Sequence, residues 1–141
     1  MRNLPDVSSY NSDIPAKTVV NDSTFFVGNS FLTKNKQGLW ELYVEGDPLE
    51  IGLTTGRLTQ PLMYKQEQVL FDRINELVPS EGKQKFLRKF LSWYNRKMYQ
   101  YIPNEYKAEI YGTSKYMSED FNGLATPYLR ALYLHGADDI G

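Results

Sequence analysis

The stretch Tyr43-Val44-Glu45-Gly46-Asp47-Pro48-Leu49-Glu50-Ile51-Gly52-Leu53-Thr54-Thr55-Gly56-Arg57-Leu58 joins a predicted strand to a predicted helix. Asp47 suits the N-cap of that helix, Pro48 suits its first position, and Glu50 stands at the spacing of a capping box. Gly52 and Gly56 are one helical turn apart and leave a groove without Cβ atoms. We therefore expect a helix that begins at this turn and packs closely, through its glycines, against a strand or a second helix.

The same glycines do not match two other motifs. Residues 52–57 lack the spacing and the Lys-Ser/Thr pair of a phosphate-binding loop. A membrane pair of the GxxxG type needs an apolar segment of about 20 residues around it, which this sequence does not have. Close helix packing is therefore the favoured interpretation.

Two apolar runs upstream predict a β-hairpin. Residues 25–32 and 38–44 read as strands, and the polar run 33–37 separates them. Along the second run one face is fully apolar and the other is mixed. Such a strand can lie at the edge of a sheet or beneath helices.

Apolar residues spaced three and four apart predict several helices downstream. The first begins at Pro48 and ends at Pro79-Ser80, and Pro61 should kink or divide it, because an interior proline removes one backbone hydrogen bond. The others are a helix with an apolar stripe from Phe86 to Met98, a short one containing Tyr106, Ile110 and Tyr111, and a last one from about Pro127 to Leu134.

The length of 141 residues is that of one domain or of a piece of one. Apolar residues make up 41% and charged residues 23% of the chain, which indicates a folded protein rather than a disordered one. Aromatic residues reach 14%, and 11 of them are Tyr. Because tyrosine suits pocket walls and partly dry interfaces, the composition favours a chain with a partner surface.

Charge and cysteine content exclude several functions. The formal net charge of −1 gives no general attraction for nucleic acid or for an anionic membrane. Without any Cys, the chain has no disulfide, no thiolate metal site and no nucleophilic thiol. No stretch approaches the ~18 apolar residues of a membrane span. Residues 1–24 resemble a polar tether left after removal of an export signal, which is compatible with an exported or periplasmic protein but leaves the compartment unassigned.

The opening stretch also carries a family resemblance. The segments concerned are Glu45-Gly46-Asp47-Pro48, Glu50-Ile51-Gly52 and Gly56-Arg57-Leu58. Their order resembles the N-terminal region of isopenicillin-N acyltransferase-like and acid-ceramidase-like proteins, with phospholipase-B-like proteins as more distant relatives. The likeness extends through the helices from Met63 to Asn95 and over residues 101–106, and more weakly to 138–141, while residues 1–24 lie outside it.

This resemblance implies the α+β fold of an N-terminal-nucleophile hydrolase, with four layers in the order αββα. Proteins of this kind cut themselves before a Cys, which then acts as nucleophile with its own α-amino group as base. The oxyanion donors also follow the cut. The resemblance therefore makes this chain the non-catalytic alpha subunit, in which residues 25–141 form the N-terminal part of one domain. A beta chain from the same precursor, with an N-terminal Cys, would complete the domain.

The resemblance further implies hydrolysis or transfer of N-acyl amides without a cofactor. Candidate walls of the acyl pocket are Met63, Leu70, Trp93, Tyr94 and Tyr133, and Gly46, Glu50, Gly52 and Gly56 are expected to serve packing. Gly141 is the candidate autocleavage residue, or the chain ends some residues short of the cut. In the first case His135, Asp138 and Asp139 would lie near the processing bond; otherwise they belong to a solvated, frayed end.

His135 and Asp138 are also the best pair of metal ligands, since a spacing of three can place both on one helix face. Two ligands do not make a site, and Gly136 between them weakens a helix. We expect no metal.

A second hypothesis concerns residues 83–98, whose charges are all basic and alternate with aromatic side chains. The cations are Lys83, Lys85, Arg88, Lys89, Arg96 and Lys97. A basic amphipathic helix of this kind can bind lipid or nucleic acid, which would make the chain a stand-alone binding module. The favoured alternative is a core helix whose opposite face is solvated.

Overall fold

The computed structural model describes residues 4–77, 85, 89, 93, 101–121 and 126–132. Within this part of the chain a four-stranded antiparallel sheet is followed by helices, so the fold class is α+β. The strands are β1 (Lys17–Asn21), β2 (Thr24–Val27), β3 (Ser30–Lys34) and β4 (Trp40–Tyr43), and each pairs with the next. The helices are α1 (Pro48–Leu77), α2 (Asn104–Ser114), a 3₁₀ turn at Glu119–Phe121 and the helical segment 127–132.

The apolar run 25–32 is not one strand, as we predicted, but two. Gly28 and Asn29 form a two-residue turn between β2 and β3, and Val27 pairs with Ser30 across it. Gly28 has a φ of 59°, which L side chains rarely adopt, and this allows the chain to reverse. Gly28 and Asn29 interrupt the apolar run and are the two-residue turn signal that the prediction passed over.

The hairpin predicted between the runs 25–32 and 38–44 forms between β3 and β4, with its connection at residues 35–39 rather than 33–37. β3 and β4 pair from Phe31 with Tyr43 to Lys34 with Trp40. The Asn35 side chain accepts hydrogen bonds from the backbone of Gln37 (2.9 Å) and Leu39 (3.0 Å), which shapes the connection.

The polar leader contains strand β1, which pairs with β2 from Lys17 to Asn21 with one irregularity after Val19. The run Thr18-Val19-Val20 is the β-branched signal that could have revealed it. Before β1, the carbonyl oxygen of Asp6 accepts a hydrogen bond from the Asn104 side chain (3.2 Å). The leader is therefore part of the folded domain from at least Asp6 onward.

Helix α1 starts as predicted. Glu50 accepts a hydrogen bond from the backbone N–H of Asp47 (2.9 Å), and Asp47 accepts one from the backbone N–H of Glu50 (2.8 Å), which is a complete capping box. We predicted that Pro61 kinks or divides the helix; the helix continues across Pro61 to Leu77, so division does not occur. Leu58 and Leu62, on either side of the proline, both pack against the sheet, and this burial offsets the cost of the lost hydrogen bond. The predicted end at Pro79-Ser80 lies outside the described residues.

Two apolar clusters hold these elements together. One lies between the sheet and α1 and contains the buried side chains Val27, Leu32 and Leu58. The other lies around α2 and contains Ile110, Met117, Tyr128, Ala131 and Leu132, with Met63 of α1 packed against it. Helix α1 therefore connects both clusters.

The predicted helices after α1 are described in part. Helix α2 confirms the short helix, and residues 127–132 fall within the predicted last helix. Of the stripe 86–98 only Lys89 and Trp93 are described, and the structure shows both in a helix, as it does Lys85. No helix within the described ranges is long and apolar enough to cross a membrane.

Candidate functional site

The first half of α1 carries the motif that suggested a family, and its side chains make internal contacts. Gly46 has a φ of 124°, and a Cβ added there would lie 2.9 Å from the Cβ of Glu50. The second carboxylate oxygen of Glu50 accepts a hydrogen bond from the Asn11 side chain (2.9 Å), and Asp47 accepts one from the Asn11 backbone N–H (2.8 Å). Hydrogen bonds therefore join the beginning of α1 to the leader.

Gly52 lies where α1 and α2 cross at backbone distance. A Cβ added to Gly52 would collide with the carbonyl oxygen of Glu109 and lie 2.8 Å from its carbonyl carbon. The approach is mutual, because a Cβ added to Gly112 would lie 2.7 Å from the backbone nitrogen of Leu53. The buried hydroxyl of Thr113 donates to the carbonyl of Gly52 (3.1 Å). Backbone contact of this kind leaves no room for a ligand at Gly52.

Arg57 joins the leader to the turn after α2. Its guanidinium donates to the carbonyl oxygen of Pro15 (2.7 Å) and to the hydroxyl of Tyr116 (2.8 Å). The Tyr116 ring lies against Gly56, where an added Cβ would be 2.6 Å from a ring carbon. The motif from Gly46 to Arg57 thus builds the junction of α1, α2 and the leader.

The candidate wall residues of an acyl pocket lie in different surroundings. Met63 is half-buried and packs against the cluster around α2, and Leu70, two turns later on α1, is also half-buried. Trp93 is 48% exposed. Tyr94 and Tyr133 lie outside the described residues, as do the candidate cleavage residue Gly141 and the nearby His135, Asp138 and Asp139. Met63 therefore contributes to the core, whereas Trp93 lies at the surface.

The described part of the basic segment presents one exposed helical face. Lys85, Lys89 and Trp93 are each four residues apart and exposed, so they follow one another along one side of a helix. The other residues of the segment lie outside the description. No group of three His, Cys, Asp or Glu side chains within the described ranges could hold a metal ion.

Glu67 and Arg130 form a buried ion pair that the sequence did not reveal. Glu67 is 4% exposed and Arg130 6% exposed, and their side chains contact each other directly. Arg130 also donates to the carbonyl oxygen of Ser118 (2.7 Å), and its guanidinium lies 5.8 Å from the centroid of the Phe121 ring. One available signal was the place of Glu67 on the apolar stripe of α1, between Met63 and Leu70.

The ion pair is not fully satisfied. Oε1 of Glu67 is buried and has no hydrogen-bond partner within the described part of the chain. Burial raises the pKa of Glu67 above its ordinary value, and the charge of Arg130 together with the Ser118 backbone N–H opposes that rise. The carboxylate is therefore held in a place that disfavours its charge.

The two faces of the sheet differ. Side chains on the face toward α1, such as Val27 and Leu32, are buried under Leu58. On the opposite face, which we call the open face, the ring of Phe31 lies 6.0 Å from that of Phe26 and 5.6 Å from that of Tyr43. The register places these three side chains in one row across β2, β3 and β4.

The open face carries this aromatic row beside polar side chains, because the register places Thr24, Thr33 and Glu41 in the next row of the same face. Tyr43 is 46% exposed. All four residues of β4 are exposed, and Leu42, on the α1 side of that strand, is 44% exposed. A row of aromatic rings beside an exposed last strand is typical of a surface that another element covers.

Comparison of the chain with protein-family models, with curated proteins and with solved structures found no match.

Proposed function

We propose that this chain is the non-catalytic alpha subunit of a self-cleaving cysteine-nucleophile enzyme that hydrolyses or transfers N-acyl amides. The observation that carries the proposal is the open face of the sheet, with its row Phe26, Phe31 and Tyr43. A sheet that packs helix α1 on one side and presents aromatic rings on the other supplies two layers of an αββα arrangement. The second sheet would come from the partner chain.

The contacts made by the motif residues support this role. Gly52, Gly56 and Arg57 make backbone-close or hydrogen-bonded contacts with other parts of the same chain. Because the chain contains no Cys, the nucleophile would belong to the beta chain, together with its α-amino base and the oxyanion donors. The alpha subunit would present a rigid scaffold and apolar side chains to the acyl group.

Expression of the full reading frame tests the proposal. Intact mass should reveal two chains that co-purify, with Cys as the first residue of the second. The purified pair should release amine from an N-acyl amide and lose that activity after alkylation of the Cys. A single uncleaved or lone chain, inactive on N-acyl amides, would refute it.

The open face itself is tested by Tyr43→Ser, which removes an exposed ring from the row. We expect weaker association of the two chains, with the far-ultraviolet circular dichroism of the alpha chain unchanged. The matched control is Val69→Ser, because Val69 is 63% exposed but lies on α1. Equal effects of both substitutions on association would show that the open face is not the contact.

A second candidate function is a binding module that uses the exposed face of Lys85, Lys89 and Trp93. Two cations beside an indole ring suit an anionic lipid or nucleic acid surface. This function requires steeply salt-dependent binding of the isolated chain to anionic vesicles or single-stranded DNA. Binding that Lys85→Ala and Lys89→Ala together abolish would favour it over the subunit role.

A further inference from the structure

The two outer strands of the sheet present different edges. The pairing of β1 with β2 is irregular after Val19, and β1 begins with Lys17. Irregular pairing and lysine side chains both hinder the addition of another strand. The pairing of β4 with β3 runs without interruption from Trp40 to Tyr43, and β4 contains neither Lys nor Pro. The edge of β4 therefore lacks the protections that β1 has.

The backbone of β4 directs hydrogen-bonding groups away from the sheet. In an antiparallel pair, residues that bond to the neighbouring strand alternate with residues whose N–H and C=O groups point outward. The backbone N–H of Asn35 donates to the carbonyl oxygen of Leu39 (2.8 Å), so Leu39 bonds on the β3 side. By this alternation Trp40 and Leu42 present their N–H and C=O groups at the free edge. Such a row is a template for another strand.

The side chains of β4 are exposed on both faces of the sheet. Helix α1 packs over β2 and β3, and on this side of the sheet Trp40 is 36% exposed and Leu42 is 44% exposed. On the open face Tyr43 is 46% exposed, and the neighbouring Glu41 is also exposed. A strand added to β4 would therefore cover apolar side chains on both faces as well as pair the backbone.

The two ends of β4 carry opposite charges. Lys34 ends β3 and Lys36 lies in the connection before β4, whereas Glu45 follows β4, and all three side chains are exposed. A second copy of β4 that lies antiparallel to the first brings the basic end of each copy to the acidic end of the other. A parallel copy would bring like charges together, which is unfavourable. The charge distribution therefore fits an antiparallel second copy of this chain.

Charge also distinguishes the possible registers of such a pair. If α1 lies on the same side of both sheets, each residue must oppose one from the same face, so the twofold axis passes through a residue. The two central residues of β4 are Glu41 and Leu42. An axis at Glu41 sets two carboxylates directly opposite each other, which is destabilising. An axis at Leu42 sets the two Leu42 side chains opposite each other and Glu41 opposite Tyr43.

We propose that two copies of this chain pair through β4, antiparallel about Leu42, and form one continuous eight-stranded sheet. The outward N–H and C=O groups of Leu42 bond to those of the second Leu42. The proposal does not rest on the enzymatic role, because it uses the edge of β4 and leaves Phe26 and Phe31 of the open face uncovered. Since the contact is shorter than a standard interface, the association is weak and depends on concentration.

Sedimentation equilibrium of the full chain, over concentrations from micromolar to millimolar, tests the association. The average mass should rise from the monomer value of 16.4 kDa toward twice that value. Leu42→Lys places two cations at the axis and should weaken association by about tenfold or more. Val19→Lys is the matched control, because Val19 is 62% exposed on the α1 side of β1, the other edge strand, and should have no effect. A constant monomer mass, or equal effects of the two substitutions, would overturn the proposal.

Charge reversal tests the antiparallel arrangement. Glu45→Lys alone and Lys36→Glu alone should each weaken association, because each brings like charges to both ends of the contact. The two substitutions together restore opposite charges and should restore most of the affinity. If the losses simply add in the double variant, the two strands are not antiparallel copies of β4.

A single introduced thiol tests the register, because the chain contains no Cys. Leu42→Cys should form a disulfide-linked dimer under air oxidation, whereas Val19→Cys should form one much more slowly. Equal rates would contradict the contact. Hydrogen exchange of the Leu42 amide identifies any other occupant of this edge. Protection that is absent from the concentrated chain alone, and arises only when a different chain co-purifies, would assign the β4 edge to that chain and refute the pairing of two copies.

Discussion

The two halves of α1 pack against the rest of the chain through different kinds of contact. In the first half, Gly52 has no side chain, so the backbone of α2 can contact the backbone of α1 there. In the second half, Glu67 buries a carboxylate against Arg130 and leaves one of its oxygens without a hydrogen bond in the described residues. Close packing stabilises the first contact. The second contact requires two charged side chains to leave water, which costs free energy.

This difference predicts how each half responds to substitution. A backbone contact tolerates no added atom, since neither helix has a side chain that could rotate away. A buried ion pair tolerates loss of both partners better than loss of one, because a lone buried charge is the worst outcome. Changes at Gly52 should therefore disrupt the fold, and changes at Glu67 should depend on what stands at position 130.

The largest effect is expected for Gly52→Ala. The added Cβ would collide with the backbone of Glu109, so α2 must shift away from α1. We expect a loss of about 3 kcal/mol or more in the free energy of unfolding, measured by urea denaturation. Gly38→Ala is the control, because its Cβ would meet only the far end of Lys34 at 4.0 Å and the positive φ of 85° is its main cost, about 1–2 kcal/mol. Similar losses at both positions would contradict the backbone contact.

Next in size are single substitutions of the ion pair. Glu67→Met or Arg130→Met alone should each destabilise the chain by about 3–5 kcal/mol, because the other charge stays buried. The double substitution should be neutral, or more stable than the unsubstituted chain by about 1–4 kcal/mol. A double-mutant cycle of urea unfolding measures the coupling. Additive losses would show that the two side chains do not act as a pair.

Stability should also depend on pH through Glu67. A folded-state pKa above 4.5 means that the folded chain binds more protons than the unfolded chain between the two pKa values. The free energy of unfolding should therefore fall as the pH rises through this interval, by at most about 1.4 kcal/mol per pH unit. Burial, and next the nearby Glu105, also raise the pKa of Glu109, so its contribution has the same sign.

Comparison of Glu67→Gln with Glu109→Gln separates the two contributions. Urea denaturation across the acid-to-neutral range should show a flatter profile for each variant, with the larger change at the more deeply buried Glu67. If the profile of the Glu67→Gln variant runs parallel to that of the unsubstituted chain, Glu67 has no raised pKa.

Local features of this fold were predictable from the sequence, because their causes lie within a few residues. Asp47 and Glu50 satisfy each other across one turn, and the apolar pattern around Tyr106 and Ile110 marks α2. The turn at Gly28 was missed although Gly28 and Asn29 form a two-residue turn signal between apolar residues, and β1 was missed since its two valines stand in a polar context. The first was available in the sequence, whereas a strand with two apolar residues among polar ones gives only a weak pattern.

Contacts between distant residues were less accessible. Gly52 and Gly56 predicted the close approach of another element. Nothing in the neighbouring sequence identified Gly112 or Tyr116 as the residues that contact it. Glu67 and Arg130 are 63 positions apart, and each alone reads as an ordinary charged residue of a helix. Such pairs depend on how the chain folds back on itself. A spacing of three or four residues carries no information about that path.

The smallest effect we predict returns to the first turn of α1. Asp47→Ala removes an oxygen that accepts the Glu50 N–H and another that accepts the Asn11 N–H, so one helix donor and the leader both lose a partner. We expect a loss of about 1 kcal/mol in the free energy of unfolding, the usual value for an N-cap. Glu45→Ala is the control, because its side chain lies outside the capping box. Asn11→Ala keeps the backbone N–H that Asp47 accepts and removes the side-chain amide that donates to Glu50, so its loss should appear in the Asp47→Ala chain as well as in the unsubstituted chain.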